Sequence, residues 1–269
     1  MTDADELLRK TLEVNPLREP LLRTLIGYLQ LPEGSRGLDV GCGPGLQARL
    51  LAEETGPGGH VTGIDLSPGL VRYADARAKE SGLSDRLSFR EGDASRLPFA
   101  DGTFDWLWSS DFAGYPAGDL LPLLREFSRV VRPGGTVAIS AWSSQDLLPG
   151  HPLLEARLNA TCSAYLPHFR GTPPEMHFAR ALGRFREAGL RNAEARSFTG
   201  DVQAPLGAGV RTALGSLFAM LWGERQTAAA QEDREAYLRL CRPGSPDFIL
   251  DLPDYHASFT YLLFRGIVP

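Results

Sequence analysis

Short apolar runs alternating with helical segments are the feature of this sequence that most restricts its fold. Between residues 36 and 141 several strand-like runs are separated by segments in which apolar residues recur at helical spacing. Strands joined by helices in this way pair in parallel, so the alternation predicts an α/β fold with helices on both sheet faces. The predicted strands of this part are 38–40, 61–65, 87–91, 104–109 and 136–141.

The remainder of the chain interrupts this alternation. Residues 1–35 are predicted to form an N-terminal helical cap, with a break at Pro16, and residues 36–269 the core. Helical inserts are expected at about 143–172 and 203–255, with a helix at 153–165 in the first of them. A capping-box spacing at 172–175 predicts the start of a further helix. Strands six and seven are predicted at 192–199 and 259–267.

Composition excludes several classes of function. The chain has 269 residues and a formal net charge of −5, so we expect neither nucleic acid nor an anionic membrane surface as a partner. No stretch approaches the roughly 20 apolar residues of a membrane span. The acidic start lacks the pattern of a secretory signal, and three widely spaced cysteines suit a reducing compartment. These features predict a cytoplasmic protein.

The segment after the first predicted strand is rich in glycine. Gly41, Gly43 and Gly45 form a turn in which the backbone can approach a ligand closely, and the next helix points its N-terminus at that ligand. Asp65 ends the second strand, 20 residues after Gly45. An acidic residue at this spacing can bind both hydroxyls of a ribose. Together these features predict a nucleoside site at the carboxyl edge of the sheet.

The glycine spacing separates two classes of nucleoside ligand. Dinucleotide sites carry the pattern G-x-G-x-x-G, whereas here the third glycine comes one residue early and Leu46 occupies the sixth position. A ligand with a ribose and no pyrophosphate fits this spacing better. A nicotinamide-dependent oxidoreductase remains the alternative.

Several motifs resemble those of the class I S-adenosylmethionine-dependent methyltransferases. DVGCGPG at 39–45 is similar to the first family motif and GIDLS at 63–67 to the second. REGDA at 90–94 resembles the segment that contacts adenine, and FDWLWS at 104–109 the fourth-strand motif. RVVRPGG at 129–135 resembles the turn before the fifth strand. The branch that includes the ubiquinone and menaquinone C-methyltransferases is the most similar.

The resemblance implies a Rossmann-like sheet of seven strands, mainly parallel and doubly wound, with the last strand antiparallel. It also implies S-adenosylmethionine as the cofactor. The backbone of Gly41, Gly43 and Gly45 would flank the methionine part, and Asp39 would reach its ammonium group. Ser109, expected just past the fourth strand, would lie along the methionine chain.

The same resemblance implies contacts to the nucleoside part. Asp65 would hold the ribose diol, and Leu66 would pack on the adenine face or simply in the core. Asp93 would accept a hydrogen bond from the adenine amino group, and the Ala94 N–H would donate to a ring nitrogen. Taken alone, Asp93 is equally well explained as a turn residue after Gly92.

The implied reaction is methyl transfer to a small molecule, and the catalytic residues stay unassigned. An oxygen or carbon acceptor usually needs a base within hydrogen-bonding reach. The candidates near the expected mouth of the site are Asp111, Tyr115, His151, His168 and His177. No metal site is expected, because His168 and His177 have no third ligand in register.

Aromatic and apolar side chains of the inserts bear on the nature of the acceptor. If some of them line the pocket, the acceptor is partly hydrophobic; otherwise they form the core of a lid. The residues concerned are Tyr165, Phe169, Phe218, Met220, Trp222 and Tyr237. A non-catalytic module that only binds the cofactor is a further alternative.

Overall fold

The computed structural model describes residues 3–113, 118–162, 171–223 and 229–269. Seven strands of these ranges form one sheet in the order β3-β2-β1-β4-β5-β7-β6. The strands are β1 Arg36–Val40, β2 His60–Asp65, β3 Leu87–Glu91, β4 Phe104–Ser110, β5 Val131–Asp146, β6 Arg191–Gln203 and β7 His256–Ile267.

The sheet is parallel except for β7, which pairs antiparallel with both β5 and β6. The predicted fold class is thereby confirmed. Strand order reverses between the neighbours β1 and β4, and crevices at such a switch point, beyond the carboxyl ends of the strands, are the usual ligand sites of open α/β sheets.

Helices cover both faces of the sheet, and Trp106 and Trp108 pack into one core while Leu107 between them packs into the other. The helices are α1 Asp3–Tyr28, α2 Leu46–Glu54, α3 Pro68–Glu80, α4 Leu121–Val130, α5 Pro152–Ala160, α6 Ala181–Glu187, α7 Ala208–Trp222 and α8 Gln231–Cys241. Helices α1 and α7 pack against each other. No helix of the described ranges is long and apolar enough to cross a membrane.

The predicted break at Pro16 is wrong, because α1 continues without interruption through both Pro16 and Pro20. A proline inside a helix costs about 3 kcal/mol through the lost hydrogen bond and the ring clash. Along α1, Val14, Leu17 and Leu22 are buried against the rest of the molecule. Burying each such side chain contributes about 1.5–3 kcal/mol, so tertiary packing outweighs the local preference.

Two other local predictions also need correction. The capping-box spacing does not start an α-helix: Pro174–Met176 and Phe178–Arg180 are single 3₁₀ turns, and α6 begins only at Ala181. His177 between the turns is extended, which interrupts the helix. In the first insert α5 ends at Ala160, short of the predicted end, and residues 163–170 lie outside the described ranges.

Candidate functional site

The glycine turn after β1 is fixed to the end of β2. The N–H groups of Gly41 and Cys42 both donate to the Ile64 carbonyl, at 2.8 and 3.1 Å. Gly41, Gly43 and Gly45 all have positive φ angles, between 53° and 78°, which glycine adopts without strain. A Cβ atom at Gly41 or Gly45 would collide with a phenylalanine ring, whereas one at Gly43 would meet nothing within 4 Å. The turn is thus packed on two sides and open at Gly43.

Asp65 at the end of β2 connects this turn to the start of α3. One carboxylate oxygen accepts from the Gly43 N–H and the other from the Ser67 N–H, each at 2.9 Å. Ser67 in turn caps α3 by accepting from the Leu70 N–H, as its sequence position before Pro68 suggests. Asp65 therefore holds two backbone segments at fixed positions beside the glycine turn.

A cavity of about 710 Å³ opens beside Asp65 and the glycine turn. Three walls enclose it. The sheet edge and its loops contribute Gly41, Gly43, Asp65, Leu66, Asp93, Ala94, Ser110, Asp111, Phe112, Trp142 and Tyr261. Helix α1 contributes Leu7, Lys10, Thr11, Val14, Asn15, Arg18 and Leu22, and α7 contributes Leu217 and Met220. Pockets of roughly this volume bind drug-sized ligands or cofactors.

Asp39 lies in β1 just before the glycine turn, is only 2% exposed and, like Ser109, stands behind the residues that line the cavity. Its Oδ2 atom is buried and has no hydrogen-bond partner among the described residues. Burial, and then repulsion by the Asp65 carboxylate, raise the pKa of Asp39 to about 8. A buried carboxyl group in this state needs a donor or a cation, which a ligand in the neighbouring turn can provide.

Leu66, Asp93 and Ala94 all line the cavity, on the side of β2 and β3. Leu66 is 70% exposed, which is unusual for a leucine and excludes simple core packing. Asp93 is exposed, and its Oδ1 accepts from the Ser95 N–H at 2.8 Å, which also lowers its pKa. Asp93 therefore does form the turn that the sequence suggested, while still facing the cavity.

Ser109 does not lie past the fourth strand, as predicted, because β4 continues to Ser110, which pairs with Ser140 of β5. Ser109 is fully buried and does not line the cavity, and its Oγ lacks a partner within the described ranges. Neighbouring side chains of a strand point to opposite faces, so Ser110 lines the cavity instead. Asp111 also lines it, because the chain leaves the strand direction there, just beyond the end of β4.

Of the five candidate bases, the structure places Asp111 in the cavity wall. His151 precedes α5 and His177 separates two 3₁₀ turns, and neither lines the cavity formed by the described residues. Tyr115 and His168 lie outside the described residues. No cluster of three or more potential metal ligands occurs in the described part of the chain.

Asp111 belongs to a partly buried polar cluster that the sequence does not reveal. Its Oδ2 accepts from the Tyr261 hydroxyl at 2.9 Å and from the Arg18 guanidinium, and its Oδ1 accepts from the Trp142 N–H at 2.8 Å. Arg18 Nε also donates to the Tyr261 hydroxyl at 2.6 Å. Asp111 has φ of 52°, a left-handed conformation that is uncommon outside glycine. We call Arg18, Asp111 and Tyr261 the α1 cluster.

The insert side chains divide between the cavity and the core. Met220 lines the cavity together with Leu217, whereas Phe218 and Trp222 are buried and stack with their ring centres 5.8 Å apart. The Trp222 Nε1–H donates to Asn159 Oδ1, so the polar atom of this buried tryptophan has a hydrogen-bond partner. Tyr237 packs against the core, and Tyr165 and Phe169 lie outside the described residues.

Known proteins share these sequence features. A family described as a methyltransferase domain matches residues 38–135. A demethylmenaquinone methyltransferase of Bacillus velezensis is 32% identical over 190 residues, which cover 65% of this chain and 79% of the relative. The chain belongs to the class I S-adenosylmethionine-dependent methyltransferases.

Other methyltransferases match over varying lengths. An erythromycin 3''-O-methyltransferase of Saccharopolyspora erythraea is 35% identical over 181 residues, 65% of this chain and 56% of that protein. For some further relatives the match takes in less than half of the relative's length. The structure of a geranyl diphosphate methyltransferase in complex with S-adenosylmethionine has the same fold, with a TM-score of 0.54 at 21% identity, covering 95% of this chain and 87% of that one.

S-Adenosylmethionine is the cofactor of this methyltransferase, and the residues present fit it. The unpartnered Asp39 oxygen offers an acceptor for the ammonium group, and the open space at Gly43 leaves room for the chain beside it. The family membership favours methyl transfer over the nicotinamide-dependent reaction that the glycine spacing left open.

Proposed function

We propose that this protein transfers the methyl group of S-adenosylmethionine to a small molecule that has an apolar part. The observation that carries the proposal is that one cavity is lined both by the residues expected to bind the cofactor and by large apolar side chains. Gly43, Asp65 and Asp93 belong to the first group, and Trp142 and Met220 to the second. An apolar wall with few polar groups favours a partly hydrophobic acceptor. The relatives named for tocopherol, demethylmenaquinone and sterols support this choice.

The predicted site residues other than Ser109 each have a role in this proposal. Asp39 accepts from the ammonium group of the cofactor, and Gly41, Gly43 and Gly45 flank its methionine part. Asp65 binds the ribose diol and Leu66 packs on the adenine. Asp93 accepts from the adenine amino group, and the Ala94 N–H donates to a ring nitrogen. Ser109 is given no ligand contact, because its side chain is buried and does not line the cavity.

The bound cofactor supplies a methyl group that is already activated on a sulfonium, so the protein's tasks are alignment and exclusion of water. Val14 and Leu22 of α1, with Leu217 and Met220 of α7, provide the apolar wall for this. We propose that α1 and the helices of the two inserts act as a cap over the acceptor. This assigns residues 1–35 to the cap and 36–269 to the core, as the sequence predicts.

Asp111 is the one candidate base that lines the cavity among the described residues, and its contacts argue against that role. Four donors, one of them cationic, already bind its carboxylate: the Arg18 guanidinium, the Ser110 and Tyr261 hydroxyls and the Trp142 N–H. A carboxylate held by these contacts is not directed at an acceptor in the cavity. We propose that Asp111 positions other groups and that any proton of the acceptor leaves by another route.

Ligand binding and a transfer assay test the proposed function. S-Adenosylhomocysteine is expected to bind and to raise the unfolding temperature, whereas NAD is not. With methyl-labelled donor, label is expected to move to a member of a panel of hydroxylated aromatic and aliphatic acceptors. Binding of NAD alone would refute the proposal. Tight binding of S-adenosylhomocysteine without transfer to any acceptor would favour the non-catalytic module.

Leu66→Ser tests the assignment of the adenine face. We expect S-adenosylhomocysteine affinity to fall about tenfold, since the apolar contact contributes about 1–2 kcal/mol. The unfolding temperature of the unliganded protein should not change, because the side chain is 70% exposed. Leu153→Ser is the matched control: Leu153 is 74% exposed but lies on α5, away from the cavity wall. Equal effects of the two substitutions on affinity would contradict the assignment.

A further inference from the structure

The methionine part of the cofactor carries a carboxylate as well as an ammonium group, and a carboxylate in a partly buried site needs a cation or several donors. The nine residues predicted for the site supply three carboxylates and no cationic side chain. Within the described ranges, the cationic side chains that line the cavity are Lys10 and Arg18, both on α1.

We propose that Arg18 binds the carboxylate of the cofactor, so that α1 is part of the cofactor site and not only a wall for the acceptor. The proposal deepens the proposed function and depends on it. Arg18 is also the residue type suited to the task, because its planar guanidinium matches a carboxylate with parallel hydrogen bonds.

Arg18 and Lys10 differ in how close they lie to the glycine turn. Arg18 contacts Asp111, and the next residue, Phe112, lies directly against the glycine turn: a Cβ atom at Gly41 would be 2.6 Å from Phe112 Cγ. This chain of contacts places Arg18 beside the methionine end of the site. Lys10 is eight residues earlier, about 12 Å along the helix, and pairs with Glu6 at 2.6 Å.

Arg18 is held in place before any ligand arrives. Its Nε donates to Tyr261, its guanidinium pairs with Asp111, and its side chain is only 19% exposed. Tyr261 is fully buried in β7, so the hydroxyl that accepts from Arg18 belongs to the rigid sheet. A cation fixed in this way loses little conformational entropy when an anion binds.

The backbone at Asp111 supports a functional reason for the cluster. Its left-handed conformation turns the carboxylate towards Arg18 and Tyr261 and leaves Phe112 over the glycine turn. Non-glycine residues in this conformation cost energy and are concentrated at functional sites. The turn therefore connects the α1 cluster to the glycine turn across one peptide unit.

The affinities of two ligands for two proteins, compared in a thermodynamic cycle, test the proposal. The two ligands are S-adenosylhomocysteine and its decarboxylated analogue, and the two proteins are the wild type and Arg18→Met. Calorimetry on the wild type should show about 10- to 100-fold tighter binding of the complete ligand. In Arg18→Met this preference should fall to less than about threefold, with the affinity for the analogue unchanged, and Arg18→Lys should restore part of it.

Two variants on the same helix serve as controls. Arg23→Met removes an arginine that pairs with Glu19 and Glu53 outside the cavity, and it should keep the full preference. An unchanged preference in Arg18→Met, or its loss in Lys10→Met instead, overturns the proposal. If the wild type binds neither ligand, the proposed function itself fails, which is a different result.

Hydrogen exchange on the wild-type protein tests the same point without a substitution. Saturating S-adenosylhomocysteine should protect the α1 amides around Arg18 more than the saturating decarboxylated analogue does, because only the complete ligand binds the guanidinium. Equal protection of α1 by both ligands overturns the proposal, even if Arg18→Met does not fold.

Discussion

Asp39→Asn is expected to abolish the pH dependence of S-adenosylhomocysteine binding between about pH 6 and 8. In the unliganded protein, burial raises the pKa of Asp39 to about 8, so below that pH the group carries a proton. A ligand ammonium beside the unpartnered Oδ2 favours the ionised form, so binding releases this proton. Wild-type affinity should then fall up to about tenfold for each pH unit below 8.

Calorimetry in two buffers with different ionisation enthalpies measures the released proton directly. The asparagine variant has no proton to release, so its affinity should be lower than that of the wild type at pH 8 and independent of pH. Methylthioadenosine, which lacks the ammonium group, is the control ligand and should bind both proteins alike at every pH. A wild-type affinity that does not change between pH 6 and 8 would refute the role of Asp39.

The same substitution has a second large effect, on the stability of the unliganded protein. The folded-state pKa of Asp39 is raised above its ordinary value of 3.8, so between about pH 4 and 8 only the folded state retains the proton. The free energy of unfolding of the wild type should therefore decrease by up to about 1.4 kcal/mol per pH unit as the pH rises through this window. Above pH 8 this contribution is lost completely.

Asparagine does not ionise, so Asp39→Asn should be more stable than the wild type at pH 8.5, by roughly 3–6 kcal/mol if the full shift is expressed. Urea unfolding of both proteins at several pH values measures this difference. It should shrink as the pH falls towards 4. Parallel stability curves for the two proteins would show that Asp39 does not titrate as described. A gain in stability at the expense of binding is typical of buried functional groups.

Asp65→Ala should weaken the binding of both S-adenosylhomocysteine and methylthioadenosine by about 100-fold. The substitution removes the partner that we propose for the ribose and also leaves the Gly43 and Ser67 N–H groups without their acceptor. Each buried group left unpaired costs about 1–3 kcal/mol. Both ligands carry the ribose, so both should be affected equally, whereas Asp39→Asn should affect only the ligand with the ammonium group.

Asp105→Ala is the matched control for this substitution. Asp105 also accepts from a backbone N–H, that of Arg36 at 2.7 Å, but it lies in β4 outside the cavity wall. Its replacement should lower stability without changing the affinity of the folded protein for either ligand. If the Asp65 variant folds and binds both ligands as tightly as the wild type, the ribose assignment is wrong.

Much of the fold and part of the site follow from local sequence. The alternation of strands and helices, the cap at Ser67 and the positive φ angles of the glycine turn each depend on a few neighbouring residues. Parallel strands bring their carboxyl ends to one edge, so the glycine turn and Asp65 meet there whatever the rest of the chain does. These features could therefore be predicted without a structure.

Where long-range packing competes with local preference, prediction from sequence fails. Pro16 would end an isolated helix, yet burial of the apolar face of α1 keeps the helix continuous. Ser109 and Ser110 have the same side chain, and only the pairing of β4 with β5 decides which of them faces the cavity.

The sheet, the glycine turn and the acid that fixes it could be predicted from the sequence, because they depend on contacts between residues close in the chain or at a common sheet edge. Only the tertiary structure brought Arg18 to Tyr261, 243 residues away, and to Asp111, 93 residues away. It also buried Asp39 beside Asp65 and so changed its proton affinity. Contacts and desolvation of this kind arise only when distant segments pack together, and no local pattern records them.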